Sequence, residues 1–545
     1  MKIKFCGAAK MVTGSCHLIE YANKKLLVDC GMRQGQDTKT ELGEDSFPFD
    51  AASVDAVLLT HAHIDHSGLL PLLVKKGFSG DIITTEATSQ LCTIMLPDSA
   101  NIQEYDAQLE NKKRQRAGKK LIEPLYTMQD VNNTLKLIKG VKYDETVKLS
   151  DEVTVRFKDA GHLLGSASVE IWITEDGATK TLAFSGDIGR AERPIICDPK
   201  FIEQADYVIM ESTYGDRNHE AGTNDEKEAQ LASVLRSAIA RGGNIVIPSF
   251  AIGRTQELLY YIKRFIANNT VKGLEKIPVY VDSPLGIEAT RVYERSADGY
   301  YDEEAMELRR EGSPFDFETV NFTRTADESK LINVTPGQKI IIASSGMCDA
   351  GRIRHHLKHN LYQKNATVIF AGYQAVGTLG RLLVDGAEKV KLFGEEIRVN
   401  AVIEHLSVFS GHAGRNELVD WVSAITPKPD RVFLVHGEEE ALDMLAGAIR
   451  PLGYNVTVPN LLDEVVLTDG RKDGEPEAPS VQVPAADVES VEELTHEYKL
   501  VEQMERILKL AEEMSFKKSP DVSLKLDIME NDLAAFADKW EKIFE

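Results

Sequence analysis

The stretch Val54-Asp-Ala-Val-Leu-Leu-Thr-His-Ala-His-Ile-Asp-His66 joins an apolar run to a dense group of polar side chains. The run predicts a buried strand, and His61, His63, Asp65 and His66 follow its end. Side chains two residues apart on a strand point the same way, so His61 and His63 are expected to share one metal ion, while the next turn directs Asp65 and His66 elsewhere. A His-rich polar loop is the alternative, but three of the chain's 13 His lie here beside an acid. The pattern indicates half of a two-metal hydrolytic site.

Length and composition limit the classes of protein. The chain has 545 residues, and a single core stops growing at about 250–300 residues, so at least two domains are expected. The absence of an apolar run of about 18 residues predicts no membrane contact. Six scattered cysteines without a Cys-x-x-Cys pair suit reduced thiols in the cytoplasm.

The net charge of -23 argues against binding of nucleic acid by the whole surface. The basic cluster Lys112–Lys120 is either a local polyanion contact or a solvated helix end.

The length and spacing of apolar segments change along the chain. Short strands with two helical stretches (about 89–118 and 128–137) predict an α/β unit up to about residue 205. Repeated units of strand, small-residue turn and amphipathic helix then predict a parallel sheet with crossover helices. Short strands return after residue 400, which indicates that the first unit resumes. The expected divisions are a first domain at 1–205 and 401–470, an insertion at 206–400, and an acidic linker with a helical extension at 471–545.

Four turns of the insertion carry Ser, Gly or Thr between a strand and a helix. Free N–H groups and the helix dipole favour an anion at such a position, and open parallel sheets bind ligands along that edge. Ordinary turn chemistry is the alternative, because any α/β protein has small residues there. The predicted phosphate contacts are Ser249, Arg254, Ser283, Ser344, Ser345 and Thr378.

A two-metal site needs about four more groups than the first motif provides, including a carboxylate able to bridge both ions. Three candidates stand at the ends of apolar runs: His162, Asp187 and His436. Each alone is more simply explained as a loop or core residue. Together they complete two coordination spheres.

These motifs resemble those of metallo-β-lactamase-fold hydrolases of the β-CASP group, in particular the prokaryotic relatives of the cleavage and polyadenylation specificity factor endonuclease subunit. The family's HxHxDH motif matches residues 61–66, and its later His and Asp motifs match His162 and Asp187. The β-CASP markers match Glu211, His412 and His436. The resemblance spans roughly residues 1–470 and implies a four-layer αββα fold with an inserted parallel-sheet β-CASP domain.

The resemblance also implies the roles of the site residues. It assigns one Zn²⁺ to His61, His63 and His162, a second to Asp65, His66 and His436, and the bridging position to Asp187, although Mn²⁺ tolerates the same donors. Asp29 is expected either to orient a ligand histidine or to cap a turn. The implied catalytic residues are Asp65, Asp187, Glu211 and His412. His412, held by Glu211, would protonate the leaving 3′ oxygen, and the alternative for this pair is a structural hydrogen bond that closes the domain cleft.

The implied function is that of a metal-dependent ribonuclease acting on single-stranded RNA in RNA processing or decay. Endonucleolytic cleavage is expected, and 5′-to-3′ exonucleolytic action is left open. A small-molecule hydrolase of the same fold and a metal-free scaffold of an RNA-processing assembly are the alternatives. A cytoplasmic location is expected, and a homodimer is one of the oligomeric states left open.

Overall fold

A computed structural model describes residues 1–38, 43, 45–218, 224–375, 377–406, 409 and 411–467. The acidic linker and helical extension predicted at 471–545 lie outside the described residues. The strands are β1 (Lys2–Phe5), β2 (His17–Tyr21), β3 (Lys24–Val28), β4 (Ala56–Leu58), β5 (Asp81–Thr85), β6 (Ile138–Val141), β7 (Thr146–Lys148), β8 (Val153–Asp159), β9 (Ala167–Glu175), β10 (Ala178–Phe184), β11 (Tyr207–Met210), β12 (Ile245–Pro248), β13 (Val279–Val281), β14 (Val320–Phe322), β15 (Ile340–Ala343), β16 (Thr367–Phe370), β17 (Lys389–Leu392), β18 (Glu395–Arg398), β19 (Val402–His405), β20 (Arg431–Leu434), β21 (Val456–Thr457) and β22 (Glu464–Val466). The helices are α1 (Ile64–Ser67), α2 (Leu70–Lys75), α3 (Glu86–Arg116), α4 (Met128–Leu135), α5 (Asn224–Arg241), α6 (Arg254–Ala267), α7 (Pro284–Arg295), α8 (Glu303–Glu311), α9 (Ala326–Val334), α10 (Ile353–Asn360), α11 (Leu379–Val384), α12 (Arg415–Ser423) and α13 (Glu439–Ile449).

Two seven-stranded sheets pack face to face. The first has the order β22-β1-β2-β3-β4-β5-β6, and the second has the order β21-β20-β11-β10-β9-β8-β7. Apolar side chains that alternate along these strands meet between the sheets, among them Phe5 and Val28 from the first and Phe157, Phe184 and Phe433 from the second. This alternation places one face of each strand in a shared core.

Helices cover the outer faces of both sheets. On the first sheet, α3 packs over β5 and β6. On the second sheet, Trp421 of α12 and Leu442 of α13 are buried against Val208 and Leu434. The predicted four-layer αββα arrangement is therefore confirmed.

The third sheet lies in the middle of the chain, has the order β14-β13-β15-β12-β16-β19, and is parallel throughout. It is the parallel sheet that the repeated strand, turn and helix units predicted. A separate hairpin joins β17 to β18.

Strand pairing differs from the predicted domain boundaries at both ends of the insertion. β11, placed after residue 206 in the predicted insertion, pairs with β10 and β20 in the second sheet. β19, placed after residue 400 in the resumed first domain, pairs with β16 in the third sheet. Sequence periodicity identifies a buried strand but contains no information about which sheet accepts its hydrogen bonds.

The two predicted helices of the first unit form close to the expected bounds, as α3 and α4. Pro97 lies inside α3, which nevertheless continues to Arg116. Residues 112–120, the basic cluster, are mostly exposed at and beyond the end of this helix. Their contact with a polyanion stays a prediction. In the described part of the chain, no helix is both long and apolar enough to cross a membrane.

We expect Phe157→Ala to lower the free energy of unfolding by about 3–5 kcal/mol, because the ring is fully buried between the two large sheets and its removal leaves a cavity. Denaturant-induced unfolding measures the change. Val334→Ala is the control, since that side chain is 73% exposed and should change stability by no more than about 0.5 kcal/mol. Equal effects of the two substitutions would contradict the assignment of the core.

Candidate metal centre

The candidate ligands gather where strands end. β10, β11 and β20 are neighbouring parallel strands, and Asp187, Glu211 and His436 come one to three residues after their carboxyl ends. β4 of the facing sheet leads directly to the segment 61–66. Because all four strands end at the same side of the sandwich, residues far apart in the chain reach one place.

The first group contains His61, His63, His162 and Asp187, whose donor atoms lie within 4.8 Å of one another. His63 Nδ1 lies 3.1 Å from His61 Nε2 and 3.2 Å from His162 Nε2. Asp187 Oδ2 lies 3.5 Å from His61 Nε2 and 3.6 Å from His162 Nε2. Three imidazole nitrogens and one carboxylate oxygen therefore converge.

The second group contains Asp65, His66 and His436. The Nε2 atoms of His66 and His436 are 3.3 Å apart, and His436 Nε2 is 3.6 Å from Asp65 Oδ2. Asp187 Oδ1 lies 3.2 Å from His66 Nε2 and 3.7 Å from His436 Nε2. Asp187 thus turns one oxygen toward each group of ligands.

The donor set fits divalent cations. Asp187 Oδ1 is buried and has no hydrogen-bond partner among the described groups, which is costly unless a cation balances it. Burial, followed by the neighbouring His66, holds the pKa of His61 well below its usual value; burial, followed by His412, does the same for the pKa of His162. Metal ligation requires neutral imidazole, so His61 and His162 are in the form that binds metal, whereas at His66 and His436 burial is outweighed by the Asp187 carboxylate, which raises the pKa of both.

A buried carboxylate orients one ligand of each group. Asp29 Oδ2 lies 2.7 Å from His66 Nδ1, and Asp29 Oδ1 accepts a hydrogen bond of 2.8 Å from the Thr60 N–H. Thr60 Oγ1 contacts both Asp29 Oδ2, at 3.0 Å, and His61 Nδ1, at 3.1 Å. Sequence reasoning named Asp29 but missed Thr60, although Thr60 directly precedes His61.

The rings of His436 and His162 are also held through Nδ1. Thr213 Oγ1 lies 3.1 Å from His436 Nδ1, and the Gly411 carbonyl lies 3.3 Å from His162 Nδ1. Arg193 donates from one nitrogen to the carbonyls of His162 and Gly411. Neither Thr213 nor Arg193 was predicted. The position of Thr213 two residues after Glu211 was the only available signal.

His412 and Glu211 lie directly beside the first group of ligands. His412 Nδ1 is 3.2 Å from Glu211 Oε2 and 3.9 Å from Asp187 Oδ2. Burial opposes the charged imidazole, but the carboxylates of Glu211, Asp187 and Asp65 outweigh it and raise the pKa of His412 to about 9. A bridge between Gly189 and His412 places the ring. Gly189 also lies against Gly161. A side chain at position 189 would put its Cβ 1.8 Å from the Gly161 carbonyl oxygen, so the close approach of these two backbone segments requires glycine.

The predicted phosphate contacts lie at the carboxyl edge of the third sheet, and their polar atoms have partners within the protein. Ser249 contacts Thr255, Ser283 caps α7 and contacts Ser344, and Ser345 contacts Ala350. Thr378 caps α11. Arg254 binds Glu257 and donates to the Phe409 carbonyl at 2.5 Å. Whether any of them binds phosphate stays a prediction.

Family profiles match most of the chain. Residues 10–240 match the metallo-beta-lactamase superfamily, residues 255–383 match the Beta-Casp domain, and residues 396–459 match the Zn-dependent metallo-hydrolase RNA specificity domain. The fold and the site therefore define a metallo-β-lactamase-fold hydrolase that binds divalent metal.

The chain belongs to the β-CASP family of these hydrolases, as its relatives show. It is 36% identical over 459 residues to "Ribonuclease TTHA0252" of Thermus thermophilus, an alignment that covers 84% of this chain and 98% of that protein. It is 30% identical over 476 residues to "Transcription termination factor FttA" of Methanocaldococcus jannaschii, covering 85% and 71%. The FttA of Methanosarcina mazei is 30% identical over 462 residues, covering 82% and 69%.

We expect Asp29→Asn to weaken metal affinity by about 10- to 100-fold, because the substitution removes the charged acceptor that orients His66. Competition with a chromogenic chelator measures the affinity. Asp206→Asn is the matched control, since Asp206 is also a buried carboxylate that accepts a backbone N–H, here from Thr181. If both variants bind metal as the unmodified protein does, Asp29 only caps its turn.

Proposed function

We propose that this protein is a zinc-dependent ribonuclease that hydrolyses RNA phosphodiester bonds. One observation carries the proposal: the two oxygens of Asp187 face two separate groups of metal ligands, and a histidine with a carboxylate partner stands beside them. The two-metal mechanism of phosphodiester hydrolysis uses these parts, namely a pair of cations and a proton donor for the leaving group. The relatives named as ribonuclease and as transcription termination factors support an RNA substrate.

We assign one zinc ion to His61, His63 and His162 and a second to Asp65, His66 and His436, with Asp187 shared. Nitrogen and oxygen donors without thiolate suit zinc, and the family description names zinc. When bound, two such cations supply Lewis acidity and a water of lowered pKa.

The side chains supply orientation and a proton. Asp29, Thr60 and Thr213 hold the ligand rings at Nδ1 or through a shared hydroxyl, so the rings need not reorganise during the reaction. His412 carries a proton at neutral pH because of Glu211 and can donate it to the leaving ribose 3′ oxygen. Asp65 serves both as a ligand and as a charge that favours the protonated form of His412.

We expect Asp187→Ala to abolish RNA cleavage while RNA binding persists, because the substitution removes the shared ligand but leaves the third sheet intact. The measurement uses RNA labelled at either end, with a 5′ phosphate or a 5′ hydroxyl, in the presence and absence of a chelator. Cleavage that survives the substitution and the chelator would contradict the proposal. If the first labelled products come from cuts within the RNA, the cleavage is endonucleolytic. If mononucleotides are released first from the 5′ end, the cleavage is exonucleolytic.

Metal analysis of the purified protein distinguishes the non-catalytic scaffold. The proposed function requires about two zinc ions per chain, whereas a scaffold requires none. A turnover of chromogenic phosphodiester far above that of RNA would instead indicate a small-molecule hydrolase.

We expect Glu211→Gln to shift the alkaline limb of the pH–rate profile from near pH 9 toward the ordinary histidine value of 6.5, since the carboxylate holds the raised pKa of His412. A general acid acts while protonated, so activity is present below its pKa and is lost as the pH rises through it. Cleavage rates between pH 5 and 10 measure the shift. A loss of stability with an unmoved limb would mean that the His412 and Glu211 pair is only structural.

A further inference from the structure

Two aromatic rings are exposed at the carboxyl edge of the third sheet. Phe250 follows β12 and is 49% exposed, and Tyr373 follows the neighbouring strand β16 and is 41% exposed. Large apolar side chains at one sheet edge cost free energy unless a ligand or partner covers them. Parallel sheets bind their ligands at this edge.

Contacts between the loops position the backbone at Tyr373 and the ring of Phe250. The buried Gln374 side chain donates from Nε2 to the carbonyls of Tyr373, at 3.0 Å, and Gly346, at 3.2 Å. The Phe250 ring lies against Gly346, where an added Cβ would be 2.9 Å from Phe250 Cδ2. The loops that follow β12, β15 and β16 therefore contact one another and carry both rings at one edge of the sheet.

A third aromatic ring, that of Tyr214, lies between this surface and the candidate metal centre. The Tyr214 ring lies edge-on to His412, with centroids 6.0 Å apart. The Arg217 guanidinium lies over Tyr214, 5.2 Å from the ring centroid, and the Arg217 carbonyl accepts a hydrogen bond from the Arg415 N–H. Gly372, next to Tyr373, lies against the chain that leads to His412, since a Cβ added at Gly372 would be 3.3 Å from the Phe409 carbonyl oxygen. Rings and a guanidinium plane thus lead from His412 to the edge of the third sheet.

We propose that Tyr214, Arg217, Tyr373 and Phe250 form a stacking surface for unpaired bases of the RNA substrate. The inference rests on the proposed ribonuclease function and adds where the bases of the substrate bind. Bases stack on aromatic rings and on guanidinium planes without regard to sequence, but a duplex hides these faces. The net charge of -23 limits what phosphate contacts contribute, and base stacking close to His412 adds binding energy that does not depend on positive charge.

The test combines a protein substitution with a substrate substitution. The substrate is a single-stranded RNA with one mapped cleavage site, prepared as a series in which an abasic residue moves one nucleotide at a time from that site. For the unmodified protein, we expect one or two abasic positions to lower kcat/KM by about 5- to 150-fold, the equivalent of about 1–3 kcal/mol per stacked base. Tyr373→Ala should lower kcat/KM for intact RNA by a similar factor and should lose nothing further at one of those positions.

Two further variants separate stacking from other effects. Tyr373→Phe retains the ring and should restore most of the kcat/KM that Tyr373→Ala loses on intact RNA. Tyr362→Ala is the matched control, because Tyr362 is 55% exposed in the same part of the chain but precedes β16, at the opposite edge of the sheet. It should leave kcat/KM unchanged. Thermal unfolding of each variant excludes misfolding.

The outcomes distinguish failure of the stacking surface from failure of the proposed function. If the unmodified protein with metal cleaves no RNA, the proposed function fails. If it cleaves RNA, but Tyr373→Ala and Phe250→Ala equal Tyr362→Ala or show independent losses at every abasic position, only the stacking surface is overturned. Equal kcat/KM on single-stranded and fully duplex RNA would also overturn it.

Discussion

The structure depends on the burial of one carboxylate, Asp187, among imidazole rings. A buried negative charge with an unbonded oxygen is destabilising unless positive charge compensates it, and its two oxygens face different groups of ligands. The two cations proposed for this site would meet that requirement. The strand order of the second sheet sets β10, β11 and β20 side by side, so that Asp187, Glu211 and His436 come together at the carboxyl ends of these strands.

The chain that returns from the third sheet contacts the residues of the candidate metal centre. The Gly411 carbonyl contacts His162, the Phe409 carbonyl accepts from Arg254, and Ala413 N–H donates to the Ile188 carbonyl at 2.8 Å. His412 is therefore placed by contacts on both sides. The proposed proton donor is thereby held beside the candidate ligands, and the proposed stacking surface at Tyr373 adjoins the same returning chain.

Much of the fold was predictable from periodicity. Alternating residues such as those of β8 and β9 predicted strands of the two large sheets, and strand and helix repeats after residue 240 predicted the parallel sheet. Pairing partners were not predictable, and β11 and β19 both join sheets other than the expected ones. Strand pairing depends on long-range hydrogen bonds, which leave no periodic signal in a single strand.

The sequence by itself determined the chemistry available: imidazole and carboxylate at strand ends, with motifs specific enough to name seven candidate ligands. Only the tertiary structure decided which atoms face one another, since it turns one Asp187 oxygen toward each ligand group and aims Thr60 and Thr213 at ligand rings. It also decided which aromatic residues are exposed. Neither Phe250 nor Tyr373 stands out in the sequence, because exposure depends on the packing of three loops brought together by neighbouring strands rather than on any local pattern.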